Sequence, residues 1–305
     1  MANETLTSVF SDIADAIREK GVTGQMTPLQ MPQKIADIPS GGGSDSKLFD
    51  ADLELNFAGL TAIPDDNIWD GASVSGKFQN WKNIKSVSFP DIVSVGKNGC
   101  RQMFMQCSSL TTAPALPITT LADYCYSNMF SGCESLTTAP ELPATTLAKG
   151  CYSGMFVNCS SLTSAPALPA TTLAEYCYSY MFRGCTSLTS APALPATTLA
   201  DYCYYYMFWR CTALSGAITI PILNTNTYIP DSAFNNMFRE CSNLSKVILD
   251  FSTFSSIPTL GSVNSINVFN STSDTRFEIH VPSALEDDWK TASNWSDWAS
   301  HIVGV

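Results

Sequence analysis

Apolar residues recur along this chain at a fixed interval. The pair Met-Phe begins at Met103, Met129, Met155, Met181 and Met207, each 26 residues after the last, and returns at Met237 after 30. A Cys follows three residues after each Phe, and a Leu three residues beyond that, with Ser, Thr, Asn and Ala-Pro between them. Residues 77–102 keep the period in altered form. Phe78 takes the Phe position, Trp81 the Cys position, Ile84 the Leu position and Val95 the position of Leu121. A looser copy puts Leu60 at the Leu position. The equivalent residues are thus Leu60, Ile84, Leu110, Leu136, Leu162, Leu188, Leu214 and Leu244, about eight turns.

One such unit cannot bury its apolar residues alone, but stacked units can, and a 20–29-residue period with a regular Leu marks a leucine-rich-repeat solenoid. Ser-Leu-Thr-x-Ala-Pro predicts a short strand with Leu110 and Ala113 facing the core. Pro114 ends its ladder, having no N–H to donate. Ala-Thr-Thr-Leu-Ala predicts a short helical or 3₁₀ turn running to Met-Phe, with Leu121, Cys125, Met129 and Phe130 on its inner side. The expected fold is an α/β repeat: 26-residue turns over 49–282, each with one short parallel strand and one short helical turn, ending in a strand over 276–281. Strands about 4.8 Å apart make it roughly 40 Å long.

The two ends read differently. Residues 283–305 predict a helical cap. Ser283 can serve as N-cap, and Glu286, Asp287 and Asp288 suit the positive end of a helix. Trp289, Trp295 and Trp298 would close the last turn. At the front, Leu6, Val9, Phe10, Ile13 and Ile17 fall at helical spacing, and Gly21 is a stop. Thr27-Pro28 starts a second helix with Met31, Ile35 and Ile38 on one face. Residues 1–40 thus predict a two-helix module and 41–48 a Gly/Ser linker. Forty residues rarely sustain a core. Either the helices fold back onto the solenoid, or Leu6, Val9, Phe10, Ile13, Ile17, Met31 and Ile35 meet other chains.

Charge narrows the function. The chain carries 16 Lys+Arg against 27 Asp+Glu, a net −11, which argues against nucleic-acid binding. No apolar run is long enough for membrane insertion. The first residues lack a basic region and an apolar run, so no signal peptide is expected. With no secretion signal, eleven cysteines suggest synthesis in a reducing compartment.

The cysteines fall in two columns, Cys107–Cys133–Cys159–Cys185–Cys211–Cys241 and Cys125–Cys151–Cys177–Cys203. No Cys-x-x-Cys occurs, so the columns predict packing, not zinc. Cys100 stands off-register and is expected to be partly exposed. His280 and His301 sit in no nucleophile motif, the carboxylates Asp123, Glu134, Glu141, Glu175 and Asp201 are scattered, and no phosphate loop is present. Asp65-Asp66-Asn67 with Asp70 lacks a calcium-loop pattern and reads as a solvated loop. No catalytic residue, metal or cofactor is expected.

Tyr126, Tyr152, Tyr178 and Tyr204 share one repeat position and predict a structural stack. Tyr180, Tyr205 and Tyr206 break the repeat, and the two residues between Phe and Cys vary from turn to turn. Positions that vary among fixed neighbours are either ordinary solvated surface or a binding edge. In the later turns they become Tyr, Trp and Arg, the residues of binding hot spots, and aromatic platforms suit sugar rings. Tyr180, Arg183, Tyr205, Tyr206, Trp209, Arg210 and Arg239 are the candidate ligand-binding residues.

The Met-Phe-x-x-Cys-x-x-Leu text of Met129–Leu136, Met155–Leu162 and Met181–Leu188 resembles the BspA-type leucine-rich repeats of bacterial surface and adhesion proteins. The ending Val281-Pro282-Ser283…Trp289-Lys290…Asn294-Trp295-Ser296…Ile302 is similar to the usual ending of such arrays. Ile13-Ala-Asp-Ala-Ile-Arg-Glu-Lys-Gly21, with Met31-Pro-Gln-Lys-Ile-Ala-Asp-Ile38, resembles a module at the start of phage tail and prophage virion proteins. Together these resemblances imply a virion tail-fibre protein, made in the host cytoplasm and homotrimeric. Its N-terminal module would join other tail proteins, and its solenoid would bind a host-surface glycan or protein. The other implied function is a bacterial cell-surface adhesin.

Overall fold

The computed structural model describes residues 78–305 apart from 83, 223–226, 263 and 270–273, with the strand segments Gln25–Met26, Leu53–Asn56 and Ala62–Ile63 before them. Its strands are β1 (Gln25–Met26), β2 (Leu53–Asn56), β3 (Ala62–Ile63), β4 (Ile84–Ser88), β5 (Ser94–Val95), β6 (Gly216–Pro221), β7 (Tyr228–Ile229), β8 (Leu244–Asp250), β9 (Thr259–Leu260), β10 (Phe277–Val281) and β11 (Ile302–Gly304). All pair in parallel, as a solenoid requires: β1-β2-β4, β6-β8-β10-β11, β3-β5 and β7-β9. The residues at the Leu position, Ile84 to Leu244, are all buried and mark seven described turns. Leu60 lies outside the described residues.

The middle turns depart from the expected strand-and-helix unit in two ways. First, their strands shrink to single bridges. Ser86 pairs with Thr112, Thr112 with Thr138 and Thr138 with Ser164; a second column runs Thr120, Thr146, Thr172, Thr198. Two prolines per turn explain it: Pro114 and Pro117, then Pro140 and Pro143, Pro166 and Pro169, Pro192 and Pro195. Each removes a ladder donor. β8 has no proline and β6 only its final Pro221, and there the strands run seven and six residues.

Second, no helix forms before Met-Phe in any described turn. The segment is a run of tandem turns with a left-handed residue every fourth position: 98, 102 and 106, then 124, 128 and 132, and so on to 232, 236 and 240. A residue at positive φ every four positions interrupts the right-handed helix. The backbone bonds alternate accordingly. Tyr126, Asn128 and Phe130 donate to Cys151, Ser153 and Met155 of the next turn, while Ser127, Met129 and Ser131 donate to the carbonyls three residues back. Each N–H from Tyr126 to Ser131 is thus satisfied within its turn or by the next.

The core is a set of side-chain columns. Phe78, Phe104, Phe130, Phe156, Phe182, Phe208 and Phe238 stack at 5.4–6.1 Å between neighbours. Tyr126, Tyr152, Tyr178 and Tyr204 stack at 5.9–6.1 Å, and Phe234 continues the column. All eleven cysteines are buried and reduced. Cys107, Cys133, Cys159, Cys185, Cys211 and Cys241 each donate a thiol hydrogen bond to the carbonyl of an earlier Phe, from Phe78 to Phe208, at 3.0–3.2 Å. Cys100 is buried too, not partly exposed: it occupies the position of Tyr126 one turn earlier, so it is the first rung of the tyrosine column.

After β10 come 3₁₀ turns Ser283–Leu285 and Ser296–His301, helix α1 (Glu286–Thr291) and β11. The expected strand begins at Phe277, and β11 adds a further strand inside the segment read as helical. Ser283 is not an N-cap, since neither helical start has a side-chain cap; Glu286, Asp287 and Asp288 do lie in the first turn of α1. Trp289, Trp295 and Trp298 are buried, Trp289 and Trp295 against Phe251, and Trp298 on Phe277. The helices expected over residues 1–40, with Leu6, Val9, Phe10, Ile13, Ile17, Met31 and Ile35, and the 41–48 linker lie outside the described residues. The strand β1, which falls within residues 1–40, pairs with β2 of the 49–282 segment.

Candidate binding surface

The tandem turns place the variable residues. Because the cadence is four, three columns of left-handed residues run along the solenoid. Asn98, Tyr124, Gly150, Tyr176, Tyr202 and Ser232 form one. Gln102, Asn128, Gly154, Tyr180, Tyr206 and Asn236 form the next, and Gln106, Gly132, Asn158, Gly184, Arg210 and Glu240 the third. A side chain in such a column leans over the next turn. A Cβ on Gly150 would lie 2.3 Å from the ring of Tyr124. Where both turns carry a ring, the rings stack: Tyr176 on Tyr202 at 4.6 Å, Tyr180 on Tyr206 at 5.3 Å.

All seven candidate residues come together in one cluster. Tyr205 meets the edges of Tyr180 at 5.3 Å and Tyr206 at 4.4 Å, and Tyr206 packs on Trp209 at 5.1 Å. Arg183, Trp209 and Arg239 occupy one position in successive turns. The guanidinium of Arg183 lies 4.1 Å from the Trp209 ring centre and that of Arg239 5.4 Å, with Arg210 at 5.5 Å. Glu240 binds Arg210 at 2.6 Å and Arg239 at 3.5 Å. Arg210 foremost holds the Glu240 carboxyl below its ordinary value.

Sequence reasoning missed Tyr176 and Tyr202, whose stack adjoins Tyr205 at 5.4 Å. The signal was present: their column also holds Gly150, and variation marks it as it marked Tyr206. Tyr202 donates to Asp231 Oδ2 at 3.2 Å. That bond raises the Tyr202 hydroxyl pKa, while the Ser262 hydroxyl foremost lowers that of Asp231. Burial pushes the hydroxyls of Tyr180 and Tyr205 up.

The rings cover one another in part: Tyr180 stacks on Tyr206, and the Arg183 guanidinium lies over the Trp209 ring.

Elsewhere the scattered carboxylates serve other ends. Asp123 lies 3.9 Å from Lys97, and Glu175 accepts from Lys149 at 2.7 Å. His280 contacts Glu278, and His301 Nδ1 lies 3.0 Å from the Phe277 carbonyl. Asp65, Asp66, Asn67 and Asp70 lie outside the described residues. Among the described residues no three His, Cys, Asp or Glu side chains are grouped to hold a metal, and no helix is long and apolar enough to cross a membrane.

Stacked parallel turns with a buried Leu at each repeat position define a leucine-rich-repeat solenoid. Residues 74–215, 126–244 and 152–278 match the BspA type Leucine rich repeat region, in six copies. That spans more than half of the chain, and the chain belongs to this family. No curated protein matches it.

Proposed function

We propose that this chain is an adhesive binding protein of a bacterial cell surface, and that its ligand docks on the Tyr176–Glu240 cluster. It acts by recognition and not by catalysis. The observation that carries this reading is the occupancy of the left-handed columns. Gly and Asn fill them in several of the earlier turns, and those residues tolerate positive φ. The later turns place Tyr176, Tyr180, Tyr202, Tyr206 and Arg210 there, at φ of 53–64°. A non-glycine residue in this conformation costs about 1–2 kcal/mol. Strain of this kind collects at functional sites, and here it buys a surface of Tyr, Trp and Arg, the residue types of interface hot spots.

The test is adhesion of the labelled full chain to intact epithelial cells, measured by flow cytometry, for wild type and for Tyr206→Ala with Trp209→Ala. The double variant is expected to keep its circular dichroism spectrum and lose most binding. Undiminished binding by the folded double variant contradicts the proposal.

The second reading, a homotrimeric virion tail protein, rests on the resemblance of residues 1–40 to tail-protein modules. Mass spectrometry of purified phage particles and light scattering of the pure chain separate the two. Stoichiometric presence in particles and a trimeric mass favour the virion. A chain found in the cell-surface fraction and absent from particles favours the adhesin.

A further inference from the structure

Trp209 is ringed by three guanidinium groups and one carboxylate. Glu240 engages Arg210 and Arg239. Arg183, its guanidinium carbon 4.1 Å from the Trp209 ring centre, has no carboxylate within ion-pair distance among the described residues. The group around Trp209 therefore holds three guanidinium groups against one carboxylate, a local excess of two positive charges on a chain of net −11, while the Asp231 carboxylate accepts from Tyr202 in the same surface. The Arg183 guanidinium is half-buried, and stacking fixes its fork of donors before any partner arrives. Such a fork matches a carboxylate in shape and charge. The rings around it are packed on each other, Tyr180 on Tyr206 and Tyr206 on Trp209. Tyr, Trp and Arg gathered around such a fork are the residue types of protein–protein hot spots.

We infer that the ligand of this surface is an acidic protein segment, one of whose carboxylates pairs with Arg183 beside Trp209. This rests on the proposed binding role of the same cluster. It makes Glu240 an internal competitor, a carboxylate that already occupies two of the three cations. Removing it frees them for the ligand.

The experiment titrates soluble poly-L-glutamate onto the immobilised full chain by biolayer interferometry, with hyaluronate as the carboxylated polysaccharide probe. Wild type is expected to bind polyglutamate and to lose affinity as salt rises. Arg183→Gln is expected to weaken binding about tenfold, since one charge-assisted pair is lost. Glu240→Gln is expected to tighten it severalfold, a change of sign that general damage to the fold does not produce. Circular dichroism checks that each variant folds; if Arg183→Gln does not, the Glu240→Gln result decides alone. No binding of polyglutamate overturns the inference, as does an unchanged Arg183→Gln affinity. Binding of hyaluronate in place of polyglutamate overturns it in favour of an acidic glycan. If Tyr206→Ala with Trp209→Ala abolishes cell adhesion while neither charge variant alters it, the binding surface stands and the acidic partner falls. If the double variant still adheres, the binding role itself fails.

Discussion

A single left-handed residue shows how the repeat is written. Gly150 sits at φ 57°, and a Cβ there would meet the Tyr124 ring at 2.3 Å. Gly150→Ala forces both a backbone strain and a swing of that ring. The expected loss is about 1–2 kcal/mol, read as a lower midpoint in urea with unchanged slope. Leu162, fully buried in a middle turn, is a different case. Leu162→Ala removes core methyl groups and leaves a cavity, so denaturant unfolding should show a loss of about 2–5 kcal/mol. The leucines were legible from spacing alone. The left-handed cadence was not read, although Gly150, Gly154, Gly132 and Gly184 with Asn98, Asn128 and Asn158 fall on it. Tyr, Gln and Arg at the same positions hide it, because nothing in those residue types announces positive φ.

At the level of elements, spacing located the repeat but not its form. The strand after each Leu was expected, yet the second proline of each turn cuts it to a bridge. The helical turn before Met-Phe was expected because Leu121, Cys125 and Met129 fall four apart. Tandem turns of four residues share that spacing, so apolar periodicity could not tell them from a helix. The closing strand β11 lay hidden in a segment whose tryptophans and acidic first turn read as helix. There, Trp295 donates its indole N–H to the Pro258 carbonyl at 2.8 Å, in a buried site. Trp295→Phe leaves that carbonyl unpaired and should cost about 1–3 kcal/mol, seen as a lower thermal midpoint. The candidate surface was legible as variation against a constant repeat. Its packing was not, because whether rings stack on each other or face outward depends on which side of the turn each occupies.

The whole molecule carries a pH signature from its columns. Burial pushes every thiol up, Cys107, Cys125, Cys203 and Cys241 to about 12, against an ordinary 9.0. Tyr126, Tyr152, Tyr178 and Tyr204 are raised as well, by burial first. A group whose folded pKa exceeds its unfolded value contributes stability that is complete below the unfolded pKa. That stability is lost as pH rises through the folded one. Eleven thiols and four phenols acting together should therefore unfold the solenoid cooperatively between about pH 9 and 12, followed by circular dichroism. By the same burial, a thiol-specific chromogenic reagent at neutral pH should label none of the eleven cysteines in the native chain and all of them in denaturant.

The proposed binding role rests on the tyrosines that the later turns hold on left-handed backbone, Tyr176, Tyr180, Tyr202 and Tyr206, with Tyr124 the one such tyrosine of an earlier turn. The most direct measurement is a saturation titration of labelled full chain on intact epithelial cells, comparing wild type with a variant carrying Tyr176→Gly, Tyr180→Gly, Tyr202→Gly and Tyr206→Gly. Those changes give the later turns the residues that Gly150 and Gly154 supply earlier, relieving the backbone while deleting the rings. The expected result is a folded solenoid whose binding falls by about tenfold or more, the loss of at least one hot spot. A folded variant that binds as well as wild type would contradict it.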